Sequence, residues 1–164
     1  MLCRMTGTIA EVLKQAKPFA SPEQEALLGL LTVAARLTEP WVKVLKETSS
    51  LTASQYNVLR ILRGSHPARL ACSDIASRMI DRDPDVTRLL DRLEKRGLAK
   101  RVRSRTDRRV VEIGITAKGL QVVGGLDPQA QRMPKALLGH LGPDRLRQLT
   151  RLLEIIIADL GTFP

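Results

Sequence analysis

Val86, Leu89, Leu90 and Leu93 recur at the i, i+3, i+4, i+7 spacing that puts side chains on one stripe of a helix. Thr87, Arg88, Asp91, Arg92 and Lys95 are left on the opposite, polar face. The end signals agree with this. Asp83 suits the N-cap, Pro84 the first helical position, and Asp85 the positive end of the helix dipole. Gly97 can take the left-handed backbone that ends a helix, and Leu98 can close the hydrophobic contact behind it. Beyond Leu98 the period changes. Leu98 to Arg103 alternates moderately, and Val111, Ile113 and Ile115 share one face of a second strand. The polar residues Ser104 to Arg108 between them read as the turn of a hairpin.

Upstream, Thr52 and Gln55 form a capping-box pair with Leu51 as its staple residue. They predict a helix that buries some of Tyr56, Val58, Leu59, Ile61 and Leu62 and ends near Gly64. After a loop from Ser65 to Ala71, Cys72 or Ser73 opens a short helix that turns Ile75, Ala76 and Met79 inward. Two short helices, a turn of about four residues and a helix with a polar outer face make a helix-turn-helix.

The ends of the chain read differently. Met1 to Ala20 is expected to be a loosely ordered arm with a short helix around Ile9 to Ala16. Ser21, Pro22 and Glu23 begin a long helix whose apolar residues, from Ala26 to Leu37, spread around more than one face. Pro40 should kink or break it before Trp41, Val42 and Leu45 continue it. Thr116 caps a helix through Val123, and Gly124, Gly125, Pro128 and Pro134 argue against one straight helix from there to His140. After Gly142 and Pro143 a final helix runs to about Leu160, with Ile155, Ile156 and Ile157 covering more than one face. Helices that are apolar nearly all round must be buried on several sides, and in a chain of this size that asks for a second subunit.

Charge adds a partner class. The 164 residues carry a formal net charge of +10, distributed unevenly. From Arg82 to Arg109 eleven basic residues face five acidic ones, a local charge of +6. Such a segment points to a polyanion. Phe19, Trp41, Tyr56 and Phe163 are the only aromatic residues, and none lies in it. Stacking platforms for RNA or single strands are therefore missing, and double-stranded DNA fits better. Cys3 and Cys72 have neither metal nor disulfide spacing, and His66 and His140 are isolated, so no metal or cofactor is expected. No nucleophile–base pair or phosphate loop suggests an enzyme. No apolar run could span a bilayer, and Met1 to Lys17 lacks the core of a signal peptide, so the expected location is the cytoplasm, away from membranes.

The stretches LTASQYNVLRIL (Leu51 to Leu62), DIASRM (Asp74 to Met79) and VTRLLDRLEKRGL (Val86 to Leu98) resemble the MarR family of winged-helix transcriptional regulators. Asp107, Arg109 and Ile115-Thr116 match the family's wing pattern of Asp, one residue, Arg, five residues, then Leu-Thr, with Ile115 replacing Leu. Lys118-Gly119 also fits. The resemblance implies a mainly α fold with a small β-hairpin wing (α+β), a winged helix-turn-helix flanked by N- and C-terminal dimerisation helices. It divides the chain into a flexible arm (1–21), a helical dimerisation region (22–48 and 117–164) and a DNA-binding domain (49–116). It further implies a homodimer on a near-palindromic operator, acting as a repressor relieved by a small aromatic or anionic effector. The glycines and prolines from Gly124 to Pro134 depart from the family's long helix after the wing.

On this reading Thr87, Arg88, Asp91, Arg92 and Lys95 face DNA from the recognition helix. An arginine paired with guanine there discriminates by about 1–3 kcal/mol. The alternative is a solvated face on which Asp91 pairs with Lys95. Arg103, Arg105, Arg108 and Arg109 belong to the wing, where arginine enters narrow minor grooves, and Asp107 braces the turn. Ser73, Lys100 and Arg101 are candidates for phosphate contact, with helix capping as the other reading of Ser73. Trp41 and Tyr56 are the aromatic candidates for an effector pocket, or else core residues. Cys3 and Cys72 are read as inert thiols against the alternative of redox sensing. Asp83, Asp85 and Asp91 support a competing idea, a winged-helix protein–protein interaction module without specific DNA binding.

Overall fold

A computed structural model describes residues 8–81, 85–103 and 111–160, and divides the chain into two compact units, Met1–Val42 and Lys43–Pro164.

In the first unit, α1 (Ile9–Val12) is a single turn held by a capping box between Thr8 and Glu11. Ser21 Oγ accepts the Gln24 N–H, and the Ala20 N–H donates to Gln24 Oε1, at the start of α2 (Pro22–Ser49), whose last seven residues belong to the second unit. Ile9 seats on Gly29, where a Cβ would come within 2.7 Å of its Cδ1. Of the kink or break expected at Pro40, the break does not occur: α2 runs through it without interruption. The proline removes one N–H from the ladder, and the helix continues past it. The Thr38 hydroxyl donates back to the carbonyls of Ala34 and Ala35 one turn before.

The second unit holds the sheet and the core. In chain order come α3 (Ala53–Ser65), β1 (Leu70–Ala71), α4 (Cys72–Ser77), α5 (Val86–Lys95), β2 (Ala99–Arg103), β3 (Val111–Ile115), α6 (Ala117–Gly125), α7 (Asp127–Leu138) and, after a 3-10 turn, α8 (Gly142–Leu160). The α3 capping box is present as expected, with Gln55 N–H on Thr52 Oγ1 and Thr52 N–H on Gln55 Oε1. Tyr56, Val58, Leu59, Ile61 and Leu62 are all buried. They meet Ile75, Met79, the Val86–Leu93 stripe, Leu98, Ile113 and Ile115 in one apolar core, with Val123 and Leu126 closing it.

Three local expectations need correction. The expected hairpin is present, but the loop expected from Ser65 to Ala71 ends in a short strand, making a three-stranded antiparallel sheet of order β1-β3-β2 in which Leu70 pairs with Ile113 and Ala71 with Glu112. A two-residue strand has no period to detect. Next, α4 stops at Ser77 because the Arg78 and Met79 N–H groups turn tightly onto the carbonyls of Ile75 and Ala76. Ile75 and Met79, four residues apart, point inward, while Ala76 is rotated out and exposed. The two helices of the helix-turn-helix are therefore separated by eight residues rather than about four. Finally, the described cap of α5 is Asp85, whose side chain accepts the Arg88 N–H at 3.1 Å; Asp83 and Pro84 lie outside the described residues.

The α6–α7 junction bears out the expected interruption. Helical bonding lapses at Leu126, and α7 begins with Asp127-Pro128. Among the described residues no helix is long and apolar enough to cross a membrane.

Candidate DNA-binding surface

The burial of Val86, Leu89, Leu90 and Leu93 fixes which face of α5 remains outside. Thr87, Arg88, Arg92 and Lys95 are exposed, and Asp91 is half-buried. Arg88 is the most prominent, 79% exposed, with its Nε 3.0 Å from Asp85 Oδ2. Asp85 thus caps the helix and orients an arginine through the same carboxylate. An exposed pair like this holds the side chain only weakly, so Arg88 can exchange Asp85 for a base or phosphate.

At the other end Gly97 adopts φ +70°, and the N–H groups of Gly97 and Leu98 bond to the carbonyls of Glu94 and Leu93. This is the left-handed stop expected from the sequence. It turns the chain directly into β2, whose residues Ala99 to Arg103 pair with Ile115 to Val111. Alternation along β2 sends Arg101 and Arg103 to the α5 side and Lys100, which is exposed, to the other. Across the strand from Lys100 is Gly114, over which the Arg69 stem lies.

Arg101 is engaged within the protein. Its Nη1 is 2.6 Å from Asp91 Oδ1 and 2.8 Å from Glu94 Oε2, and its backbone N–H donates to Glu94 Oε1 at 3.1 Å. Burial alone would weaken the charge on Arg101; the hydrogen bonds to Asp91 and Glu94 outweigh it and raise its pKa. Asp91 therefore pairs across to the strand rather than along the helix with Lys95. Arg96 is a second anchor absent from the sequence reading. Its two terminal nitrogens donate to the carbonyls of Ser49 and Ser50 at 2.8 and 2.9 Å, and Lys118 Nζ donates to its carbonyl.

Of the other candidates, Ser73 is exposed inside the first turn of α4, whose N-cap is Ala71, and makes no capping bond. Tyr56 is a core residue whose pKa is raised by burial and by Asp127, against the opposing charges of Arg63 and Arg60. Arg63 pairs with Asp127 at 2.7 Å, joining α3 to the start of α7. Trp41 is half-buried on α2. Cys72 is a free, partly exposed thiol. Arg105, Asp107, Arg108, Arg109 and Cys3 lie outside the described residues. Among the described residues no cluster of His, Cys, Asp or Glu could hold a metal ion.

The MarR family model matches residues 51–111, the span from the α3 cap to the second wing strand. A MarR transcription factor from Planctomyces limnophilus is 40% identical, with 84% of this chain and 99% of that one covered and a TM-score of 0.62. The chain belongs to the MarR family. The homoprotocatechuate degradative operon repressor of Escherichia coli is 29% identical over 133 residues, 81% of this chain and 86% of its own length. A Bordetella bronchiseptica protein, described for regulation of its DNA binding by 6-hydroxynicotinic acid, is 26% identical over 87% of this chain and 99% of its own, with a TM-score of 0.66. In MarR terms α5 is the recognition helix and β2–β3 the strands of the wing. What sequence reasoning missed at this surface are Glu94 and Arg96, whose partners lie 7 and 46–47 residues away and leave no local spacing to read.

Proposed function

We propose that this protein is a homodimeric, sequence-specific double-stranded-DNA-binding transcriptional repressor whose grip on a near-palindromic operator is relieved by a small aromatic or anionic ligand. The observation that carries this reading is the exposed Thr87-Arg88-Arg92-Lys95 face of a rigidly capped helix, next to an arginine-bearing hairpin. A helix enters the major groove with such a face, and the hairpin arginines Arg103, Arg105, Arg108 and Arg109 approach the adjacent minor groove. Lys100 supplies phosphate attraction. The protein acts by binding rather than by catalysis, in the cytoplasm.

Residues 22–48 and 117–164 form the dimerisation region and 49–116 the DNA-binding domain, with 1–21 an N-terminal arm. Supporting this, α8 has no buried residue although Leu152, Leu153, Ile155, Ile156, Ile157 and Leu160 are apolar. Leu27, Leu30, Leu31 and Val33 on α2 are likewise uncovered. Patches of that kind mark an interface. The ligand dependence follows from the Bordetella relative and from the catabolic operon named for the E. coli repressor; Trp41 and Tyr56 are the aromatic residues nearest in sequence to the junction of the two regions.

Selection from a random duplex pool tests the reading. A near-palindromic consensus should emerge, Arg88→Ala should change the preferred base at one position per half-site, and affinity should fall steeply with salt. Enrichment of no sequence, together with capture of a protein partner by the same face, would establish the interaction-module alternative instead.

A further inference from the structure

Asp91 and Glu94 put two carboxylates on the recognition helix, where a polyanion must approach. In a DNA-binding surface that is a liability, since like charges brought together oppose binding. One side chain answers both. Arg101 Nη1 contacts Asp91 Oδ1 at 2.6 Å and Glu94 Oε2 at 2.8 Å, and its Nη2 lies 3.4 Å from the Thr87 carbonyl oxygen. Only 29% of the side chain is exposed. Glu94 in turn takes the backbone N–H of Arg101, so helix and strand are joined through both main chain and side chain. From Arg101 the β2–β3 ladder continues to the Arg103–Val111 pair, which residues 104–110 connect.

We propose that Arg101 is a positioning residue. It neutralises Asp91 and Glu94, fixes the wing strands against the recognition helix, and makes no phosphate contact of its own. This rests on the DNA-binding reading above, and it reverses the role that sequence position alone suggests for Arg101. Its exposed neighbour Lys100, on the other side of the strand, keeps the phosphate role.

The test is a cycle of affinities for the selected duplex at several salt concentrations. It uses wild type, Arg101→Ala, the pair Asp91→Asn with Glu94→Gln, and all three together, with Lys100→Ala as the reference for loss of one surface charge. Arg101→Ala should weaken binding about tenfold in the wild-type background and by no more than about twofold once both acids are gone. Its salt slope should match wild type, whereas Lys100→Ala should lower the slope by about one. Equal losses from Arg101→Ala in both backgrounds, with a slope lowered by about one, would mark a phosphate contact and overturn the proposal. Hydrogen exchange on the DNA-free protein gives an independent arm. Glu94→Ala should speed exchange of the Arg101 amide about tenfold while leaving α3 amides unchanged; an unchanged Arg101 amide overturns the brace. If the wild type selects no duplex, the DNA-binding reading falls, and the brace is judged by that exchange alone.

Discussion

Replacing Gly119 with alanine should destabilise the protein even though the residue lies inside α6, where alanine is the better helix former. A Cβ at that position would sit 2.2 Å from the Leu98 carbonyl oxygen and 2.7 Å from Ile115 Cγ1. The oxygen cannot yield easily, because it accepts from the Thr116 N–H at 3.1 Å and its hydroxyl at 3.2 Å. Reaching ordinary contact requires α6 and the Leu98 turn to separate by roughly 1 Å. Overpacking of that kind costs about 1–3 kcal/mol, and loosening the Thr116 bonds adds about 1 kcal/mol. Helix propensity returns about 1 kcal/mol, so the net loss is about 1–3 kcal/mol. Gly124 in the same helix has nothing within 4 Å of its Cβ position, and Gly124→Ala should stabilise by up to about 1 kcal/mol. Urea denaturation at one fixed protein concentration compares the two. Leu98 joins the recognition helix to the wing, so the Gly119 variant should also lose DNA affinity where it remains folded. Stability within about 0.5 kcal/mol of wild type for Gly119→Ala, or shifts of the same sign for both variants, would refute the packing argument.

Ile157→Glu should shift the protein from dimer to monomer in sedimentation, because the side chain is 68% exposed on the uncovered face of α8; an unchanged dimer would place the interface elsewhere. Arg96→Ala should cost about 1–2 kcal/mol in denaturation by removing two charge-assisted bonds from the carbonyl end of α2, and Arg96→Lys should recover less than half of it. The raised pKa of Tyr56 predicts an alkaline loss of stability. Below the ordinary value of 10.0 both folded and unfolded chains keep the phenol neutral, and above it the unfolded chain ionises first. Stability should therefore fall as pH rises through that value toward the higher folded pKa, and Tyr56→Phe should remove that part of the fall.

The features legible in the sequence are those whose partners lie within one turn of helix or one strand. The Thr52–Gln55 box, the Val86–Leu93 stripe, the Gly97 stop and the hairpin strands all belong to this class, and together they define the helix-turn-helix and the direction its polar face takes. Features closed by distant contacts were not legible. β1 exists only because Leu70 meets Ile113. Asp91 had an apparent partner in Lys95 at helical spacing, but Arg101 on the neighbouring strand takes the carboxylate. The same contact recasts Arg101, a phosphate-contact candidate by sequence, as a brace. Of the two residues offered for the start of α4, Cys72 is the one observed, which moves Ser73 past the cap position.

The most direct measurement is a titration of the selected duplex and of a scrambled one by the wild-type protein, at physiological salt, with the mass of the complex determined in solution. Two chains should bind each selected duplex, at least about a thousandfold more tightly than the scrambled one. One chain per duplex, or a preference below about tenfold, would contradict a dimeric sequence-specific regulator.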